Sequence, residues 1–193
     1  MKRHYFLAIC GLMAMLLSLS LGWRGAKAQK TKSDLEELKK QIELFETVLN
    51  QSLTQAFGGP FDTLDKGRGA YLPGYGAVFA FEVSLSPLRN MGPFFAPSPR
   101  TPKSEELQRE QENRQRDKAK AVAQQVLTNF GQTLRQLAPD ESVAVVIHTV
   151  AAHPNKVERS TIVISAEKSL IDQRQKNSID QAEFVRKLTT TEY

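Results

Sequence analysis

The sequence predicts an α+β fold: a two-layer sandwich in which an N-terminal helix precedes a β-α-β-β-α order around a small mixed sheet. Three observations lead to this prediction. A long amphipathic helical pattern covers residues 33–57, an alternating apolar pattern covers Ala77–Leu85, and a strand–turn–strand pattern covers Ser142–Ser165. Helical patterns lie between and after the strands, so we expect residues 33–193 to form a single domain.

Residues 1–28 are typical of a secretory signal peptide. The basic pair Lys2-Arg3 precedes an apolar run from Tyr5 to Leu21, and Ala26-Lys27-Ala28 fits a small-x-small cleavage site. We therefore expect a secreted or periplasmic protein that is cleaved after Ala28. The alternative is an uncleaved membrane anchor, because the apolar run is nearly long enough to span a bilayer. After cleavage, no second apolar segment would hold the chain in a membrane.

The charge of the chain argues against a nucleic-acid partner. The net charge is +5, but residues 1–28 carry four of the 26 Lys and Arg residues and none of the 21 acidic ones. The remaining 22 basic residues nearly balance the acids, so the expected mature chain has no strong field for an anionic polymer. The one cysteine, Cys10, leaves with the signal, which excludes disulfides and thiol chemistry.

The helix predicted over residues 33–57 follows a short polar leader at 29–32. Ser33-x-x-Glu36 is a capping box, and Gly58-Gly59-Pro60 ends the helix. Its apolar stripe fits a coiled-coil heptad at first and then drifts into ordinary helical spacing. The helix therefore either binds a protein partner or a second copy of the chain, or lies across its own domain, which the drift favours. The stripe consists of Leu35, Leu38, Ile42, Phe45, Leu49, Leu53 and Phe57.

A glycine-rich loop leads into the predicted strand at Ala77–Leu85. Pro73-Gly74 suits the centre of a type II turn, in which the second position needs a positive φ. Gly74-Tyr75-Gly76 begins like a phosphate-binding GxGxxG loop, but Phe79 replaces the third glycine and the loop enters a strand instead of a helix. A structural turn is therefore favoured. Tyr71 and Tyr75 beside the glycines are candidates for contact with a ligand or partner.

Residues 86–102 contain five prolines and form a linker or an ordered loop. Within it, Phe94 and Phe95 either anchor the loop in the core or offer an exposed contact with a ligand or partner. Residues 104–118 read as a solvated helical segment, because acidic and basic residues alternate there with few apolar ones. An apolar stripe then predicts that the same helix packs on the core and ends near Ala138-Pro139.

The strand at Ser142–Ala152 is apolar on both faces, which suits a central strand. A turn at His153–Lys156 connects it to the returning strand at Ser160–Ser165, and helical patterns follow at 167–175 and 179–188. His148 on the apolar strand is typical of a hydrogen-bonded core histidine.

Motifs for catalysis, metals or cofactors are weak. Two mature histidines without cysteine give no metal-ligand pattern, and Ser165-x-x-Lys168 lacks the companion motifs of a serine–lysine enzyme. Residues 172–184 fit the frame of an EF-hand loop, but Arg174 and Lys176 occupy two ligand positions and oppose Ca²⁺. We expect no cofactor and no metal, and interpret the segment as a helix–loop–helix with a capping box at Ser178-x-x-Gln181.

The sequence therefore favours a secreted or periplasmic, non-enzymatic binding or assembly protein of unknown partner. Its expected contacts are Tyr71, Tyr75, Phe94 and Phe95, together with the helix at 33–57. The alternative is a small secreted hydrolase-like enzyme that uses His148 or Glu82 near the Tyr-Gly loop. That alternative requires a pocket that gathers these side chains, and a dry core around His148 would exclude it.

Overall fold

Four α-helices and a five-stranded mixed sheet make up the part of the chain that the computed structural model describes, namely residues 30–58, 63–86, 102–153 and 156–193. The α+β class predicted from the sequence is confirmed. The predicted signal peptide at 1–28 and the region of Phe94 and Phe95 lie outside the described residues. The two-layer sandwich stays a prediction.

The elements follow one another along the chain with short connections apart from the proline-rich one. The helices are α1 (Lys32–Phe57), α2 (Pro102–Phe130), α3 (Lys168–Gln175) and α4 (Gln181–Lys187), with a 3₁₀ turn at Gly131–Thr133. The strands are β1 (Thr63–Leu72), β2 (Gly76–Ser84), β3 (Ser142–His153), β4 (Lys156–Glu167) and β5 (Thr189–Glu192). The sheet order is β1-β2-β3-β4-β5, with β2 and β3 parallel and the other neighbours antiparallel. As predicted, β3 is the central strand.

Strand β1 was not expected, because its glycines indicated a loop. The register of β1 against β2 shifts twice between Thr63 and Arg68, so the strand is irregular there. The Asn50 amide of α1 forms hydrogen bonds to the backbone in this irregular part: it donates to Gly67 O at 3.0 Å and accepts from Gly67 N at 2.7 Å. Glu46 of α1 likewise accepts a bond from Gly69 N at 2.6 Å. Helix α1 thus provides hydrogen-bond partners for the backbone of β1 within its irregular part, at Gly67, and just beyond it, at Gly69.

Strand β5 was also not expected, since Thr-Thr-Thr-Glu has no apolar alternation and all four residues are exposed. It pairs with β4 only over Ile162–Ser165. On its helix-facing side, Glu192 forms ion pairs with Arg116 and Lys120 of α2. Pairing and charge, instead of burial, therefore hold this strand.

The core is a single apolar cluster built from the helices and one face of the sheet. The stripe of α1 lies in it: from Leu38 to Phe57 its members are buried, and the rings of Phe45 and Phe79 lie 4.1 Å apart. The helix thus crosses its own domain, the interpretation that its spacing favoured. Leu35 and Leu44 remain 42% and 52% exposed.

Helix α2 is continuous across the predicted polar and apolar halves, but it ends at Phe130, earlier than the expected Ala138. The apolar spacing placed the end too late because it counted Leu134 and Leu137 as helical. Both side chains are buried, but they lie in the loop that follows the 3₁₀ turn. Gly131 begins that turn with Ile171 of α3 against it, where an added Cβ would lie 3.1 Å from the Ile171 side chain.

The two C-terminal helices flank a tight loop. Asn177 adopts φ 54° in the position of the missing EF-hand glycine. The capping residue of α4 is Asp180, which accepts from Glu183 N at 2.7 Å, so the predicted cap at Ser178 was wrong by two residues. Asp172 pairs with Lys168. No group of three or more metal-ligating side chains occurs in the described ranges.

Within the same ranges, no helix combines the length and apolarity needed to cross a bilayer.

Candidate functional site: the open face of the sheet

The strands direct alternate side chains to two different environments. In β3, Val143, Val145 and Ile147 are buried in the core cluster. On the other face of the strand, Val146 is half-buried and His148 is exposed. Strands β2 and β4 show the same alternation. Ala144 is buried on that second face but lies outside the core cluster. Among the described residues, one face of the sheet therefore carries the core cluster, and the other does not.

The register aligns the side chains of the second face in three rows across the sheet. The first row contains Ala70, Val78, Ala144, Ser165 and Thr189. The second row contains Arg68, Ala80, Val146, Val163 and Thr191. The third row contains Glu82, His148, Thr161 and Tyr193. We call these three rows the open face. Its first two rows are small or apolar at their centre, and the third is polar.

A groove of about 330 Å³ lies at the polar row of the open face. His148 is exposed there, and its Nδ1 lies 3.1 Å from Thr161 Oγ1. The expectation of a core histidine was therefore wrong: β3 is apolar on both faces, and the sequence does not show which face the helices cover. The groove is lined by Glu82, His148, Thr149, Val150, Arg159, Ser160, Thr161 and Tyr193.

The groove holds acid–base groups and hydrogen-bonding hydroxyls. Glu82 and His148 occupy paired positions on neighbouring strands, so a carboxylate and an imidazole stand side by side. The nearest serine is already engaged, because Ser160 Oγ lies 2.7 Å from the buried Thr149 Oγ1. The chemistry available in this groove is proton transfer to or from a bound molecule, without an activated serine.

The two loop tyrosines have different roles. Tyr71 is half-buried and donates its hydroxyl to Glu141 Oε1 at 2.6 Å, while Glu141 Oε2 accepts from Ala138 N at 2.6 Å. Tyr71 thus closes the loop before β3. Tyr75 is 43% exposed at the β1–β2 turn and is free to meet a ligand through its ring.

The structure does not bring the Tyr-Gly loop close to His148 and Glu82. Glu82 lies six residues beyond Gly76 along β2, a separation of roughly 20 Å in an extended strand. Phe94 and Phe95 are outside the described residues. Among the described contact candidates, Tyr71 and Tyr75 therefore do not form one cluster with the polar row.

The glycine-rich turn has a structural reason. Gly74 has φ 80° and Tyr75 N donates to Leu72 O at 3.0 Å, which confirms the predicted turn. Gly76 has φ 130°, and a Cβ on it would lie 1.9 Å from Ser142 O. Ser142 N donates to Tyr75 O at 2.7 Å, so the close approach serves the β2–β3 junction.

Sequence reasoning missed a second polar cluster, which lies at the carboxyl ends of the parallel strands β2 and β3. Glu112 of α2, only 9% exposed, accepts from Gln108 Nε2 at 2.8 Å and from Ser86 Oγ at 3.3 Å. His153 lies between two acids, with Nδ1 3.9 Å from Glu112 and Nε2 3.9 Å from Glu158. The cluster joins the polar half of α2 to the β3–β4 hairpin. These residues are too distant in the chain for any local pattern to show it.

Comparison of the chain with protein-family models, with curated proteins and with solved structures found no match. Within the described residues, the chain is an α+β domain whose sheet carries the core cluster on one face and the open face on the other.

Proposed function

We propose that this protein is a secreted or periplasmic, non-enzymatic binding or assembly protein that contacts its partner through the open face. The observation that carries the proposal is the apolar centre of the first two rows, where Val78, Ala80, Val146 and Val163 stay half-buried. In a sheet with one face in water, the side chains on that face are normally polar. Contiguous apolar side chains at such a face mark an interaction surface, because a partner gains free energy by removing them from water.

The polar row and the edges of the open face would give the partner its orientation. Glu82, His148 and Arg68 surround the apolar centre with charged or hydrogen-bonding groups. An apolar centre with a polar rim is the usual anatomy of a protein interface. A contact through α1 is a second proposal for the partner surface. It would use Leu35 and the neighbouring Leu44, which are exposed, because the stripe from Leu38 to Phe57 is packed in the core.

Site-specific photo-crosslinking in the producing cell tests the open-face proposal. A photoreactive residue at Val146 or Val163 should give discrete cross-linked products, whereas the same residue at the exposed Asn113 or Gln125 of α2 should not. Equal labelling at all four positions would reject the open face as the contact surface.

The mass of the native chain, measured in parallel, tests export. Cleavage after Ala28 gives a chain that begins at Gln29. A retained apolar segment would instead support the membrane-anchored alternative.

The groove favours one further candidate, a hydrolase-like enzyme. His148 is exposed beside Glu82, and an accessible imidazole can take a proton from a water molecule that attacks an ester. If this is the function, His148→Ala should lower the hydrolysis of an activated ester by about 100-fold or more. His153→Ala is the matched control and should retain activity. Equal rates of ester hydrolysis for the two variants would reject the enzyme, because surface histidines alone would then explain the activity.

A further inference from the structure

Strand β4 is longer than the strand that covers its outer side. Its residues pair with β5 only over Ile162–Ser165, and Thr161 exchanges two backbone bonds with Tyr193 at 2.9 and 3.2 Å. The preceding residues, Lys156–Ser160, pair with β3 on the inner side. Among the described residues, no strand pairs with Lys156–Ser160 on the outer side. We call this stretch the β4 edge segment.

The β4 edge segment has backbone groups ready for another strand. Because Thr161 bonds outward to Tyr193, the alternation of an antiparallel ladder turns the N–H and C=O of Arg159 and Val157 outward as well. The side chain of Val157 is 59% exposed, among the most exposed large apolar side chains of the described residues. Such an edge is a template for pairing with another chain.

The charges of the β4 edge segment are self-complementary in one register. Charged side chains normally protect an edge, because like charges meet when two copies pair. With Val157 on a two-fold axis, however, Lys156 stands opposite the partner's Glu158, and Glu158 stands opposite the partner's Lys156. Within one chain, Lys156 Nζ lies 2.9 Å from Glu158 Oε1, so the four groups alternate in sign. The neighbouring register, centred on Glu158, would bring two carboxylates together.

We propose that two copies of this chain associate antiparallel through their β4 edge segments, with Val157 on the two-fold axis. The interface is isologous: each copy contributes the same residues to the other. The axis is perpendicular to the sheet, so the sheets join edge to edge and both open faces point the same way. Self-association does not depend on what the open face binds.

Disulfide trapping tests the register. In a Cys10→Ser background, Val157→Cys places two cysteines directly opposite each other, at a Cα separation that a disulfide can bridge. Oxidation of the full chain should give a covalent dimer. Leu72→Cys, which is 48% exposed at the other end of the sheet, is the matched control and should remain monomeric. A monomer for Val157→Cys, or equal dimer formation by both variants, would overturn the proposal.

Charge reversal tests whether a second copy of the chain pairs with the β4 edge segment. Lys156→Glu and Glu158→Lys each place like charges opposite each other twice, which should weaken self-association by roughly tenfold in sedimentation measurements at low salt. Mixing the two variants restores opposite charges at both positions and should restore the dimer. Unchanged self-association of the single variants would overturn the proposal, and so would cross-linking of Val157→Cys to a different protein instead of to itself.

Discussion

Gly76 and Gly74 are two residues apart in the same turn, yet the structure demands glycine for different reasons. A Cβ at Gly76 would overlap Ser142 O at 1.9 Å, whereas a Cβ at Gly74 would meet no atom within 4 Å. Gly76→Ala should therefore lower the free energy of unfolding by about 3 kcal/mol or more, since backbone must move and φ is strained. Gly74→Ala should cost only about 1 kcal/mol, for the positive φ alone. Urea unfolding compares the two, and equal losses would contradict the close approach of β2 to β3.

The side chain of Lys156 controls the ionisation of its neighbour. Its hydrogen bond, and then its charge, hold the pKa of Glu158 below the usual range of a glutamate. Any stability that Glu158 gains from being charged is thus present above its ordinary pKa of about 4.3 and is lost as the pH falls through the lowered value. Lys156→Ala should raise the pKa of Glu158 toward the ordinary value in an NMR titration. Lys187→Ala, which breaks the separate Lys187–Glu183 pair, should leave it unchanged.

At the scale of elements, one amide of α1 satisfies the backbone of β1 where that strand is irregular. Asn50 satisfies both backbone groups of Gly67, which is buried. Asn50→Ala should lower the free energy of unfolding by about 1–3 kcal/mol, because a buried N–H and C=O lose their partners. The adjacent Gln51 is exposed, so Gln51→Ala should change stability by less than about 0.5 kcal/mol. Similar values for the two variants would mean that water replaces the amide at Gly67.

The elements that sequence predicts well are those with a clear apolar pattern of their own. Helix α1 and strand β2 have a regular apolar stripe, β3 is a continuous apolar run, and the ends of all three fall within one residue of the prediction. Strand β1 depends instead on Asn50, which precedes Gly67 by 17 residues, and β5 on pairing with β4. Local patterns contain neither kind of contact.

The same limit explains the candidate site. Glu82 and His148 were visible as chemical types, but their pairing follows from the parallel register of β2 and β3, which the chain joins only through α2. The side of β3 on which His148 lies was undetermined, because both parities of that strand are apolar. The position of the helices decides between them, and this is a property of the whole fold.

At the scale of the whole molecule, the open face and the core are separated by one position along β3. Val145 is fully buried in the core cluster, whereas Val146 is half-buried on the open face. The same substitution therefore distinguishes the two sides. Val145→Thr should cost about 1–3 kcal/mol of unfolding free energy, because it buries a hydroxyl among apolar groups. Val146→Thr keeps a β-branched side chain in water and should cost less than about 1 kcal/mol.

Val146→Thr, the variant with the smaller effect on stability, should have the larger effect on partner binding. If the open face holds the partner, Val146→Thr should abolish or weaken the photo-cross-link at Val163, while the free energy of unfolding falls by less than about 1 kcal/mol. Each variant is measured twice, by urea unfolding and by cross-linking yield, so a loss of folding cannot be mistaken for a loss of contact. A Val146→Thr chain as destabilised as Val145→Thr would show that this face is already covered within the folded protein, and the partner surface would then have to lie elsewhere, at the exposed leucines of α1.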